Sequence, residues 1–258
     1  MEAPIQHIIS YDGSFDGFLT AIFNIYAEKI DVVKFEKEPF HKEVLFSSHD
    51  IVITDPIKSK RVWDSLCKKT SPQQRRDLFK TFLSEIKGIE ELLLQYIQGV
   101  FNDQIAPDDY SNKVVLRVSQ IVKMVGREKH RMEAFVRFKL TKDDIYVSTI
   151  DPDFNVIPLL IPHFKDRYAD QKWIIFDTKR NYGIYYDLKK VEIISFNQDF
   201  LKKLSNSDVF NEDELRFQKL WKTYFDNVNI KSRKNTKLHV QHLPKRYWKY
   251  LIEKNQLL

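Results

Sequence analysis

The side chains best suited to chemistry in this sequence fall between residues 127 and 180. Arg127, Lys129, His130, Arg131 and Arg137 make a dense basic run, and guanidinium forks grip phosphate oxygens two at a time. If residues 134–140 form a solvated strand, Arg137 and Phe135 share a face, pairing a phosphate clamp with a ring on which a base can stack. A second group follows. His163 and Arg167 lie four residues apart, on one face of a helix; Asp170 comes next, Asp177 closes an apolar strand and Arg180 sits in the turn beyond it. Histidine titrates near neutrality and a carboxylate can orient its ring, which makes His130, His163, Asp170 and Asp177 candidate catalytic groups. Two readings of these residues stay open: a ligand-binding or catalytic site, and a set of ion pairs that staples a helix to a hairpin.

A narrower pattern runs through the same region. Pro152-Asp153 ahead of Asp177-Thr178-Lys179 spells the spaced Pro-Asp and acid-x-Lys signature of restriction-type nucleases. There two carboxylates hold Mg²⁺ and the lysine places the attacking water. Mg²⁺ belongs to that reading only, and no other cofactor is implied. His239 and His242 lack a third ligand close by, so no metal site is assigned. His242 instead joins Arg233, Lys245 and Arg246 in a basic C-terminal group whose stretch KRYWKY interleaves cations with aromatics. Near the start, DGSFDG at 12–17 lies between a strand and a helix, where backbone N–H groups can hold an anion. It matches no phosphate-binding fingerprint and contains no lysine. Asp12 and Asp16 are noted there as paired acids, beside the ordinary reading of a turn that caps a helix.

The elements that must position these residues follow from hydrophobic period and turn residues. Residues 5–10 read as a buried strand, 15–26 as a helix, 44–46 and 51–54 as strands. Ser71 can cap and Pro72 can open a helical region reaching to about residue 101. A helix over 113–123, strands over 134–140 and 145–150, and a helix over 156–168 come next. Residues 173–177 and 182–186 form the clearest hairpin, with 191–196 extending it. Asn211 can cap a helix whose stripe of Phe217, Trp221, Tyr224 and Phe225 is expected to pack in the core, and a last helix starts at Pro244. The predicted class is α+β: an antiparallel sheet flanked by helices, with a smaller N-terminal α/β subdomain over 1–84 and a main domain over 85–254.

Composition narrows the classes of partner. The chain carries +6 overall, yet from residue 216 onward eleven Lys and Arg face two acids, Asp226 and Glu253. That is +9 in the tail and −3 in the remainder, and clustered cations favour a polyanion by releasing its counterions. One cysteine, Cys67, excludes internal disulfides and thiolate-held clusters. No run approaches the roughly 18 apolar residues that span a bilayer, and the opening MEAPIQHIISYDG is not a secretory leader. A cytoplasmic protein without a membrane partner is expected.

Several segments taken in order are recognisable: GREKHRMEAFVRF at 126–138, DPDFNVIP at 151–158, HFKDRYADQKW at 163–173, IFDTKRNYG at 175–183, RKN at 233–235 and HVQHLPKRYWKYL at 239–251. With YDGSFDGF at 11–18, the chain resembles the bacterial family labelled DNA-metabolism or DNA-repair proteins, whose core is a domain of unknown function. The resemblance spans roughly residues 85–254. It implies a DNA-repair context and a radical-SAM partner, encoded beside members of the family, some of which are fused to a uracil-DNA-glycosylase-like module. This chain carries no such module, and a single cysteine cannot hold a radical-SAM cluster. The resulting expectation is a DNA-binding repair protein that touches nucleic acid through Arg127, Lys129, Arg131, Arg137, Arg167, Arg180, Arg233, His242, Lys245 and Arg246. The rival expectation is a hydrolase or nuclease acting on damaged or modified DNA.

Overall fold

The strand β1 (His7–Tyr11) runs between β2 (Val33–Lys37) and β3 (Ser48–Val52), parallel to both, with Ile9 opposite Phe35 on one side and Asp50 on the other. The computed structural model describes residues 7–30, 33–37, 48–195, 209–228 and 236–254. The strand expected over 44–46 and the candidate Arg233 lie outside these residues. Helix α1 (Phe15–Glu28) returns the chain from β1 to β2, as a parallel pair requires. Ser14 caps it by accepting the Gly17 N–H at 2.9 Å. Helix α2 (Pro56–Lys69) is capped by Asp55, and α3 (Pro72–Phe82) by Ser71 in a reciprocal box with Gln74. Tyr11, Phe18, Phe35 and Phe82 are buried and pack ring to ring beside the sheet. Helix α4 (Ile89–Phe101) completes the layer. The helical stretch expected from 71 to 101 is therefore two helices, interrupted where Glu85 and Gly88 take left-handed φ values of 52° and 81°.

The chain divides into two compact units, residues 1–126 and 127–258, and helix α5 (Lys113–Phe135) crosses that boundary. In the second unit a five-stranded sheet has the order β4-β5-β6-β7-β8: Lys139–Leu140, Tyr146–Ile150, Trp173–Asp177, Tyr182–Tyr186 and Val191–Ser195. Every residue of the central strand β6 is buried, which explains its unbroken apolar run. The hairpin β6–β7 has the predicted bounds. Its partner on the other side corrects the expected fold class: β5 and β6 are parallel, because α6 (Ile157–Arg167) carries the chain back across the sheet between them. The protein is α+β, but its sheets are one parallel and one mixed, not an antiparallel sheet flanked by helices.

Two further expectations change. The strand expected over 134–140 is confined to Lys139–Leu140 (β4), since Ala134 and Phe135 still belong to α5. The alternation is too short to outweigh the helical stripe of α5, and the Val136 N–H still reaches back to the Met132 carbonyl at 3.1 Å. Helix α7 (Glu214–Val228) leaves Phe217, Trp221 and Tyr224 at 58%, 40% and 60% exposure instead of in the core. A period of 3.6 reveals an apolar face but not what covers it. Helix α8 (Thr236–His242) and the 3₁₀ segment Lys245–Tyr250 end the described chain, the latter standing where a last α-helix was expected.

Candidate functional site

Because β5 and β6 are parallel neighbours with Ile150 opposite Asp177, the loops that leave them lie side by side. Asp177 is fully buried at the end of β6. Its Oδ1 accepts the Lys179 and Arg180 N–H groups at 2.9 and 3.1 Å, and its Oδ2 accepts Arg180 Nη1 at 2.7 Å. That guanidinium also donates to the carbonyls of Pro152 and Asp153, each at 3.1 Å, and Lys179 Nζ reaches the Asp153 carbonyl at 3.3 Å. Arg180 thus ties the hairpin turn to the loop after β5. Burial pushes the Asp177 carboxyl up from the usual range while Arg180 and the two N–H groups draw it back.

A second buried acid sits next to this pair. Glu128, on α5, is 1% exposed. Its carboxylate accepts the Asp153 N–H at 2.9 Å, Arg246 Nη2 at 2.9 Å and the Tyr247 hydroxyl at 2.6 Å, with Arg131 Nη1 at 3.7 Å. Arg246 also ion-pairs with the Asp153 carboxylate. Burial first, then Glu128, pushes the Tyr247 hydroxyl up. Lys249 binds Asp151 at 2.9 Å, and the Tyr250 hydroxyl lies 3.4 Å from Thr178 Oγ1. Four segments meet here: α5, the loop after β5, the β6–β7 turn and the 3₁₀ segment. They belong to the recognised motifs at 126–138, 151–158, 175–183 and 239–251.

The remaining candidates lie elsewhere. Lys129 contacts Glu133 at 2.7 Å, and His130 and His163 flank the same carboxylate at 4.0 and 3.9 Å. His130 is 86% exposed, and Asp170 is exposed in the link between α6 and β6. The two histidines lie against Glu133, whereas Asp177 belongs to the arginine network. Arg137 is partly buried: its Nη2 binds Glu253 at 2.8 Å, its Nη1 donates to the Ala134 and Val136 carbonyls, and its guanidinium lies 5.8 Å from the Trp221 ring. Trp221 Nε1 donates to Glu253 at 3.0 Å. Burial raises the Glu253 carboxyl, but Arg137 and Trp221 together hold it below the ordinary range. Arg127, Arg167, His242 and Lys245 are exposed.

In the first unit Asp12 accepts the Ser14 N–H and hydroxyl at 2.9 and 2.7 Å and the Thr54 hydroxyl at 2.7 Å. Burial opposes these bonds, yet they hold its carboxyl low. Asp16 accepts the Ser59 hydroxyl at 3.2 Å. Asp12 therefore serves the turn before α1, and Asp16 links α1 to α2. A Cβ at Gly17 would overlap Asp12 Oδ1 and displace the Asp12 side chain from this turn.

Sequence reasoning missed Glu128, Glu133 and Tyr247. For Glu128 a signal was available: Val118, Ile121, Val125, Glu128 and Met132 form one buried stripe of α5, so an acid stands at a core position, where it needs partners. Among the described residues no group of three or more His, Cys, Asp or Glu is arranged to hold a metal ion, and no helix is long and apolar enough to cross a membrane.

A mixed sheet whose adjoining strand ends are locked to a helix and a C-terminal 3₁₀ segment by carboxylate–arginine pairs defines an α+β domain with a polar brace. The chain belongs to the family described as a domain of unknown function, DUF4130, whose model matches residues 87–253. No curated protein matches it.

Proposed function

We propose that the chain is a DNA-binding protein of DNA repair or metabolism that holds a strand through its C-terminal basic surface. The observation that carries this reading is the sorting of charge between residues 214 and 254. The acids Glu214 and Glu253 are turned inward, Glu253 against Arg137, while Arg216, Lys219, Lys237, Lys245 and Lys249 are exposed. Arg216, Lys219 and Lys237 thus give the described outer face of this stretch a positive charge. Arg137 and Arg180 spend their donors on internal oxygens, so the phosphate contacts fall to the outer cations, including Arg127 and Arg167. Exposed Phe217 and Tyr224 on α7 offer rings on which unpaired bases can stack.

The same exposed face, with Leu220 at 57%, favours a second component: contact with a partner protein. The family resemblance suggests a radical-SAM enzyme in that role. The test is anisotropy with labelled single- and double-stranded DNA on the full chain, with and without Mg²⁺. Charge reversal at Lys219 and Lys237 together should weaken binding about tenfold or more, and the DNA should remain intact. Metal-dependent cleavage lost in Asp177→Asn, with the fold retained, would replace this reading by the nuclease one.

A further inference from the structure

A cavity of about 570 Å³ in the first unit is used by none of the chemistry above. It lies among α1, α2 and α3, with the rings of Phe15, Trp63 and Phe79 in its wall and Lys60, Arg75 and Arg76 beside them. Phe15 meets Trp63 edge-on at 6.1 Å and Phe79 at 5.3 Å, which makes a continuous aromatic surface. The cations around it outnumber the acids: Asp16 is the carboxylate in the lining. Arg75 donates to the carbonyls of Cys67 and Thr70, and Arg76 to the Gln73 side chain at 2.8 Å, so both hydrogen-bond to neutral oxygens. Lys60 pairs with Asp64 at 2.7 Å, but that pair is exposed and readily exchanged. Ser14, Asp55 and Ser71 cap the three helices through the N–H groups of Gly17, of Ile57 and Lys58, and of Gln74. The charged groups in the lining that can meet an anion are side chains.

Aromatic surface with guanidinium groups at its rim suits one kind of ligand, a flat ring system that carries a negative group. The volume falls within the roughly 300–1,000 Å³ of small-molecule sites. We infer that this cavity binds a nucleoside phosphate, with the base against Trp63 and Phe79 and the phosphate against Arg75 and Arg76. Asp16 and Ser59 stand in the lining as polar partners for a ribose or base edge. This site is independent of the C-terminal basic surface and survives if that surface proves not to bind DNA.

The test is calorimetric titration of the full chain with the common nucleoside 5′-monophosphates and triphosphates, and with adenosine and inorganic phosphate as single-feature probes. At least one nucleotide should bind with a Kd below about 100 µM. Adenosine alone and phosphate alone should each bind at least about tenfold more weakly, because each satisfies half of the site. Arg76→Ala removes an exposed guanidinium with little structural role and should weaken binding about tenfold. Trp63→Leu keeps the wall apolar and should weaken it similarly. Binding that ignores both substitutions but falls on charge reversal at Lys219 and Lys237 would place the nucleotide on the C-terminal surface and overturn the assignment. Absence of nucleotide binding at millimolar concentration would overturn it too, as would phosphate alone binding as well as the best nucleotide.

Discussion

Glu128 decides much at the level of single residues. Three donors from two segments, the Asp153 N–H after β5 and Arg246 and Tyr247 of the 3₁₀ segment, converge on its carboxylate, and a buried acid stripped of its charge leaves those donors short. Glu128→Gln should cost about 1–3 kcal/mol in urea unfolding, toward the low end because Arg246 can turn to water. Retention of full stability would show that the network is not a brace. Glu253 adds a pH dependence of definite sign. Its folded-state carboxyl titrates below its ordinary value, so its contribution is complete at neutral pH and is lost as pH falls through and below the ordinary carboxylate range. Asp177 acts in the opposite direction, since its carboxyl is raised and ionising it as pH rises disfavours the folded state. Comparison of thermal midpoints at pH 7 and pH 4 should therefore show a smaller acid-induced drop in Glu253→Gln than in the unmodified chain, whose drop carries the additional Glu253 share. Equal drops would contradict the assigned role.

At the level of elements, two glycines give opposite expectations. Gly183 lies opposite Phe176 in the β6–β7 hairpin, and a Cβ there would press on the Ile175 carbonyl and the Phe176 backbone. Gly183→Ala should lower stability by about 1–3 kcal/mol. Gly126 is inside α5 with open space around it, so Gly126→Ala should raise stability by about 0.5–1 kcal/mol through helix propensity. Chemical denaturation reads both. These same elements show what the sequence could reveal. The hairpin was legible residue for residue because β-branched and aromatic runs on either side of Thr178-Lys179-Arg180-Asn181 leave no other pairing. The cap Ser71 and the capping turn over 12–17 were legible because they act within three or four residues. The direction of β5 relative to β6 was not, since a helix between two strands permits either return. The strand expected over 134–140 shrank to Lys139–Leu140 for a related reason: a short alternating run cannot compete with a six-turn helix already under way.

At the scale of the molecule, four of the recognised motifs, all between residues 126 and 251, are spatial neighbours: segments over a hundred residues apart meet through Glu128, Asp153, Arg180 and Arg246. Sequence reading found Asp153, Arg180 and Arg246 because charged residues at turns and helix ends stand out, but it passed over Glu128, which lies in a buried stripe of α5. It could not tell which of them face inward, because Arg180 and Arg127 look alike until the sheet is assembled. The proposed polyanionic partner rests on the sorting that results, with Glu214 and Glu253 turned inward and Arg216, Lys219 and Lys237 outward.

The slope of log binding constant against log salt for a single-stranded oligonucleotide tests that link most directly. Contacts from several outer cations predict a steep negative slope, shallower by about one unit for each contact removed by Lys219→Ala or Lys237→Ala. A slope near zero, or one unchanged by these substitutions, would contradict a phosphate-facing role for the C-terminal surface.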